Sequence, residues 1–238
     1  MASLNGARAG ARAGARTALV TGANRGLGLA VSTLLHGRGF RVVLGGRDEE
    51  AVTAAASELG ADAEAVVLDV SDDASVKRAA ERVGRVDVLV NNAGTFLDRG
   101  DPPSAVPLAL VEATLAVNVL GAWRVSQAFL PAMVAGGWGR VVMVSSGTGS
   151  FTNGLFPQAP AYSVSKAGLN AVTVLLAKET AGTGVLVNAV NPGLVRTRMR
   201  PEAERSPEDA AADIVYAATL PEGGPSGVFF RSGSVVGW

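Results

Sequence analysis

Cysteine is missing from this 238-residue chain, and histidine occurs once, at His36. Disulfides, cysteine nucleophiles and the zinc sites built from Cys and His are thereby excluded. A cysteine-free composition suits a reducing compartment, and the expected location is cytoplasmic. Net charge is lacking as well, because 21 basic residues balance 21 acidic ones. No global field draws the chain to nucleic acid or to an anionic membrane, so neither is expected as a partner. No uninterrupted apolar run approaches the roughly 18 residues of a membrane span, and the N-terminus lacks the apolar stretch of a secretory signal. Aromatic residues are scarce at 5%, with only two tyrosines.

Hydrophobic residues, in contrast, make up 48% of the chain. This length and apolarity suit one well-buried core in a single large domain. The first sixteen residues, MASLNGARAGARAGAR, repeat small side chains and glycine that bury too little surface to offset the entropy of ordering. Residues 1–16 are therefore expected to be a disordered tail, and 17–238 the folded domain. An acid-free, Arg-bearing start also fits a transit peptide, though it is short and poor in Ser and bulky apolar residues.

From Thr17 onward, short apolar runs alternate with Ala-rich segments of helical period: TALVT, RVVLG, AEAVVLDV, VDVLVNNAG, GRVVMVSS, GVLVNAVNPG and GVFF. Strands that are continuously apolar belong to a parallel sheet covered by helices on both faces. The pattern predicts an α/β fold with a doubly wound parallel sheet. Ligands on such sheets bind beyond the carboxyl ends of the strands, near the switch in strand order.

Directly after the first run stands TGANRGLG, with Gly22, Gly26 and Gly28 ahead of a helical segment. Glycines there permit a tight turn and bring backbone N–H groups up to a pyrophosphate at a helix N-terminus. Further along, Tyr162 and Lys166 lie at i and i+4 in APAYSVSKAG, so one helical face presents both. Such a pair suits a substrate oxygen that gains negative charge and needs a proton. Tyr162 can donate it if an ammonium, Lys166, brings its pKa down toward the working pH. Ser146 closes VVMVSS, where a hydroxyl can hydrogen-bond an oxygen that gains charge. Ser145 and Ser150 are its competitors.

The motifs TGANRGLG, NNAG, SS, YSVSK and NPG stand in the order and approximate spacing of the short-chain dehydrogenase/reductase family, which the chain resembles over nearly all of residues 17–238. Its tail, LPEGGPSGVFFRSG, looks most like the carbonyl-reductase branch. The resemblance implies a Rossmann-type sheet of about seven parallel strands, a nicotinamide cofactor, and oxidoreduction between a carbonyl and an alcohol, with a small-molecule carbonyl or alcohol as substrate. It implies Asn118, Ser146, Tyr162 and Lys166 as catalytic residues, with Asn118 anchoring a water in a proton relay from Lys166 and Lys166 also touching the nicotinamide ribose. The cofactor is expected along Gly22, Asn24, Arg25, Gly26, Leu27 and Gly28, then Asp69 and Val70, Asn91, Ala93 and Gly94, and finally Pro192, Gly193, Val195 and Thr197. Asp69 matches the partner of the adenine amino group, although it also suits a cap for the helix near Asp72.

Where NAD-preferring sites carry an acid about 20 residues after the glycine turn, this chain has Gly46 followed by Arg47. Arg47 and Arg25 suit a 2′-phosphate, so NADP (NADPH) is the expected cofactor. Asp48 is either the missing acid in a shifted register or the N-cap of the next helix, and the cap fits better. The loop 147–160, with Phe151, Leu155 and Phe156, and the segment Leu194 to Ser206 are expected to border the substrate. The charges and Pro201 of RTRMRPEAERSPED suggest mobility rather than a fixed wall. A homodimer or homotetramer is expected through the helices around Asn118 and after Tyr162. The alternatives are a 3-oxoacyl thioester reductase and a catalytically silent NADP-sensing or scaffolding protein.

Overall fold

The computed structural model describes residues 14–238; residues 1–13 of the expected tail lie outside the described residues. Just ahead of the first strand, the Arg16 carbonyl accepts from the Arg41 N–H at 3.0 Å and its guanidinium lies 3.6 Å from the Trp138 ring centroid.

Eight strands form one sheet: β1 (Thr17–Thr21), β2 (Arg41–Gly46), β3 (Ala63–Val67), β4 (Val88–Asn91), β5 (Gly139–Val144), β6 (Val185–Val190), β7 (Phe229–Arg231) and β8 (Ser234–Val236). Their order is β3-β2-β1-β4-β5-β6-β7-β8, which puts the switch in winding between β1 and β4. The first seven strands pair in parallel, as the continuous apolar runs predict. The eighth is an addition to the expectation. It returns antiparallel to β7 through Ser232 and Gly233, both at positive φ (48° and 75°), a two-residue turn that matches the twist of its strands.

Among the described residues seven α-helices cover the sheet: α1 (Gly26–Gly37), α2 (Glu49–Leu59), α3 (Asp73–Val83), α4 (Leu108–Leu115), α5 (Ala122–Ala135), α6 (Pro160–Glu179) and α7 (Pro207–Ala218). Alternate strand residues feed two cores. Leu19, Leu89, Val141 and Val187 pack with Phe129 and Leu169 on one face, and Val20, Leu44, Val90 and Val142 pack with Leu35 and Ile214 on the other. Each face buries a continuous apolar layer, the dominant favourable contribution to folding.

A π-helical turn, Ala116–Gly121, joins α4 to α5 in one continuous helix, Leu108–Ala135. With a mean hydropathy of 1.4 in an 18-residue window it is long and apolar enough to cross a membrane by length and composition, although it contains no uninterrupted apolar run of that length. Glu112, Asn118 and Arg124 break the run of apolar letters without lowering its mean below that mark. Its inner side, with Val125, Phe129, Leu130 and Met133, is committed to the sheet.

Helix starts divide into two kinds. Asp48 caps α2 by accepting from Ala51 N–H at 3.0 Å, Asp72 caps α3 through Ala74 and Ser75, and Ser206 caps α7 through Asp209. α1 and α6 start without a cap from their own N-cap residue, and both begin at the carboxyl edge of the sheet. Capping by Asp48 agrees with its bland reading. Asp48→Ala should lower the thermal midpoint by about 2–4 °C, the effect of losing ~1 kcal/mol in a domain of this size. A fall no larger than that of the exposed Glu58→Gln, measured by calorimetry, would contradict the cap.

Candidate active site

A cleft of about 810 Å³ opens beyond the carboxyl ends of β1 to β6, at the switch point. Its lining brings together Gly22, Asn24, Arg25, Gly26, Leu27, Gly28, Arg47, Asp69, Val70, Ala93, Gly94, Ser146, Tyr162, Lys166, Pro192, Gly193, Val195 and Thr197, all expected from sequence. Asn91 and Asn118 are not among the lining residues.

The glycine turn is shaped for a close approach. Gly22 and Gly26 sit at φ +64° and +54°, and a Cβ on Gly28 would lie 2.3 Å from the Gly22 carbonyl oxygen and 2.5 Å from Asn92 Nδ2. The free N–H groups of α1 face this turn with no side chain satisfying them, the arrangement that receives an anion. Arg25 and Arg47 stand exposed at the same end. Gly46 leaves no acid there, and Asp48 is engaged in capping α2. Asp69 accepts from Ser71 N–H at 2.9 Å and Ser71 O–H at 2.6 Å. Partial burial raises its pKa, but these bonds and the charges of Arg47 and Arg124 outweigh that and hold it below the usual carboxylate value. Asp72, not Asp69, caps α3. Arg124 donates to the Val70 carbonyl at 2.7 Å and so fixes this segment from α5.

Tyr162 and Lys166 share the inner face of α6. The helix lacks a cap of its own at Ala159; instead Asp98, fully buried and 63 residues away in sequence, accepts from Ala161 N–H at 2.5 Å and from Tyr162 N–H at 3.3 Å. The carboxylate thus holds the first turn that carries the tyrosine and favours the positive end of the helix dipole. Lys166 is 4% exposed and donates to the Val144 carbonyl at 2.8 Å, pinning α6 to the end of β5. Burial pulls its pKa down to about 8. Part of the Tyr162 ring faces the cleft, packed against Phe96 with centroids 4.7 Å apart. Burial pushes its hydroxyl up to about 12, opposed by the Arg200 charge and a hydrogen bond with Ser146. The expected lowering by Lys166 is therefore not what this structure shows. Desolvation of the phenolate outweighs the favourable charges, and the ammonium, 5.4 Å from the ring centroid, is directed at the Val144 carbonyl.

Among the serines, the geometry favours Ser146. Ser145 is buried and bonds Asn170 Oδ1 at 2.6 Å, and Ser150 donates to the Gly237 carbonyl at 3.0 Å. Ser146 remains at the cleft, where its oxygen accepts from Thr148 N–H and O–H. Asn118 sits in the π turn, 1% exposed, and clasps Thr95 through N–H···Oδ1 (2.8 Å) and Nδ2–H···O (2.9 Å) while also donating to Ser165. It braces the wall behind Gly94 and Lys166. A π turn at such a position displaces the side chain from the regular helical spacing.

Asn91 is a correction. Its side chain points into the core, where Nδ2 donates to Ser126 and contacts Met143 Sδ and Oδ1 has no partner among the described residues. Asn92 is the residue at the cleft, donating to the carbonyls of Thr21 and Gly22 and so bracing the glycine turn. The pleat decides this: neighbours at the end of a strand face opposite sides. Phe96, Asp98 and Thr148 were likewise absent from the sequence-based set, and nothing in their spacing marks them.

The segment after Pro192 is also corrected. Arg205 donates to the Pro192 carbonyl at 2.6 Å and pairs with Asp213 at 2.8 Å, and Arg196 N–H reaches the Arg205 carbonyl. These bonds fold residues 195–205 into a hydrogen-bonded wall that presents Thr197, Arg198, Met199 and Arg200 to the cleft. In the loop 147–160, Phe156 borders the cleft, whereas Phe151 and Leu155 do not. Thr152 ties that loop to the Trp238 carbonyl. His36, on α1, bonds the Ala61 carbonyl after α2 and is not among the lining residues.

Comparison with known proteins agrees with this geometry. The sequence profile described as short chain dehydrogenase matches residues 16–208. The chain is 39% identical over 216 residues to oxidoreductase UcpA of Escherichia coli K12, covering 85% of this chain and 78% of that one. It is 40% identical over 215 residues to a protein of Streptomyces virginiae named monensin polyketide synthase putative ketoacyl reductase, covering 85% and 79%. Among solved structures, an actinorhodin polyketide ketoreductase variant with NADPH superposes with a TM-score of 0.83 at 29% identity, covering 94% and 97% of the two chains. A 3-ketoacyl-(acyl-carrier-protein) reductase from Brucella melitensis complexed with NADH gives 0.83 at 27%, covering 91% and 96%.

Burial of Lys166 has a measurable consequence. Its folded pKa of about 8 lies below the ordinary 10.5, so above pH 8 the unfolded chain binds the proton that the folded chain has released. Stability attributable to Lys166 therefore rises with pH until Tyr162 interferes as the unfolded phenol begins to ionise near 10. Relative to Lys166→Met, the wild type should gain about 2 kcal/mol of unfolding free energy between those two pH values. A flat difference in denaturant titrations would contradict a buried, neutralisable Lys166.

Proposed function

The chain belongs to the short-chain dehydrogenase family, and on that footing we propose that it is an NADPH-dependent reductase that converts a ketone or aldehyde to its alcohol. The family binds a nicotinamide cofactor, and the residues present fit one. The glycine turn and the free N–H groups of α1 suit its pyrophosphate, Asp69 suits the adenine amino group, and the Pro192–Thr197 turn and Lys166 suit the nicotinamide half. When bound, the reduced cofactor supplies the hydride. NADPH is favoured over NADH by Arg25 and Arg47 at the adenosine end and by Gly46, which offers no carboxylate to a ribose hydroxyl.

The observation that carries the reading is the convergence of Tyr162, Ser146 and Lys166 at one edge of the cleft. Tyr162, with its pKa pushed up to about 12, stays protonated and is a stocked acid for an oxygen that has gained charge. Ser146 holds that oxygen by hydrogen bonding. The Arg200 charge offsets the phenolate formed when the proton leaves, and Asn118 keeps the Thr95 wall in place beside the site. A catalytically silent chain would have no use for this set.

The apolar part of the cleft, with Phe96, Leu97, Phe156 and Met199, supports a hydrophobic substrate of the kind handled by the carbonyl-reductase branch. A second reading, reduction of a 3-oxoacyl thioester, is favoured by the ketoacyl and polyketide reductases among the relatives. We also propose a homodimer or homotetramer, because Leu108, Leu120, Val164 and Leu175 are exposed on the helix that holds Asn118 and on α6. The cysteine-free composition supports a cytoplasmic setting.

A screen of NADPH consumption across ketones, aldehydes, quinones and acyl thioesters tests the activity. Arg47→Ala should raise the KM for NADPH by roughly tenfold and change that for NADH much less, as expected for one charge-assisted contact to a phosphate. Equal kcat/KM for NADH and NADPH in the unmodified protein would overturn the cofactor assignment.

A further inference from the structure

We propose that the carbonyl substrate carries a carboxylate close to its reacting carbon, and that Arg200 and Arg99 receive it at the mouth of the cleft. The proposal rests on Tyr162 being the proton donor. Phe96 packs on Tyr162, and both guanidinium groups lie over that same Phe96 ring, Arg99 at 4.9 Å and Arg200 at 5.4 Å from its centroid. The ring that packs on Tyr162 thus also carries two cations. Arg200 lines the cleft on its tyrosine side and Arg99 stands exposed next to it, outside the lining, whereas Arg25 and Arg47 stand at the ends of β1 and β2.

The chain itself shows what the pair accepts. Glu202, an exposed side chain of the same wall, places its Oε1 3.5 Å from Arg200 Nη1 and 3.8 Å from Arg99 Nη1. Two guanidinium groups thus converge on one carboxylate oxygen, at distances long enough for a better-placed carboxylate to displace it. Asp98, the nearest other acid in sequence, is committed to the N–H groups of α6. The Arg200 charge is also felt at the Tyr162 hydroxyl, so a carboxylate that binds there is held near the proton donor. A short oxo acid meets both demands: its carbonyl at Tyr162 and Ser146, its carboxylate at Arg200 and Arg99. The phosphates of a long carrier arm lie too far from their thioester carbonyl to do so.

The test compares kcat/KM with NADPH for acetoacetate and levulinate, each against its methyl ester. At low salt the acids should be favoured by about tenfold, and added salt should shrink the margin because the arginines are partly exposed. Arg200→Gln should erase the preference. Glu202→Gln, which removes the resident carboxylate, should enlarge it by about twofold or more. Esters reduced as well as acids, or a preference that survives Arg200→Gln, would overturn the carboxylate site and leave the reductase reading standing. A preference for acetoacetyl-coenzyme A over acetoacetate that Arg200→Gln leaves intact would do the same. If none of these compounds is reduced, the reductase reading rests on the broader screen and binding decides the site separately. Acid-selective thermal stabilisation of the NADP-loaded protein, lost in Arg200→Gln, would keep it; equal stabilisation by acid and ester would overturn it.

Discussion

The hydrogen bond from the Lys166 ammonium to the Val144 carbonyl, with Asp98 at the start of the same helix, is the constraint on which the site depends. It locks a long helix at two points, one on the end of the central strand β5 and one on the loop that follows β4. Tyr162 lies at the Asp98 anchor and one turn from the Lys166 anchor, so both set its position. Burial of a cation beneath a helix is unfavourable by itself. The fold accepts it because the carbonyl and the neighbouring Asn118 frame provide a polar lining at that one place.

That choice governs the electrostatics. Burial moves both groups toward their neutral forms, Tyr162 upward to about 12 and Lys166 downward to about 8. The result is a protonated phenol beside an amine that is still charged near neutrality, which is a site prepared to give a proton away. Stabilisation of the phenolate then comes from two directions, Ser146 at the oxygen and Arg200 from the wall. The last of these links the chemistry to the substrate, because the residue that senses the phenol also faces what enters the cleft.

Much of this was legible in the sequence where a single local rule suffices. Strands buried on both faces read as apolar runs, and all six of the longer runs became strands of the parallel sheet. The i, i+4 spacing of Tyr162 and Lys166 needs only helical periodicity. The glycine turn could be read from its place between strand and helix. What escaped depends on contacts distant in sequence or on the phase of the pleat. Asp98 is an ordinary loop acid until α6 is brought beside it. Asn91 and Asn92 are identical letters, and only strand alternation sends one into the core and the other to the cleft. The charged stretch after Arg196 looked mobile because its partners, Pro192 and Asp213, flank it from either side and meet only in the fold. The antiparallel β8 is three residues long and announced by nothing more than a Ser-Gly pair.

The central claim is that Tyr162 delivers the proton, and the most direct measurement is the single-turnover rate of carbonyl reduction in Tyr162→Phe against the wild type, with NADPH saturating both. The account predicts a fall of roughly 10²-fold or more with cofactor affinity nearly unchanged, as expected when a general acid is deleted from a preserved site. A rate within a few-fold of the wild type would contradict it.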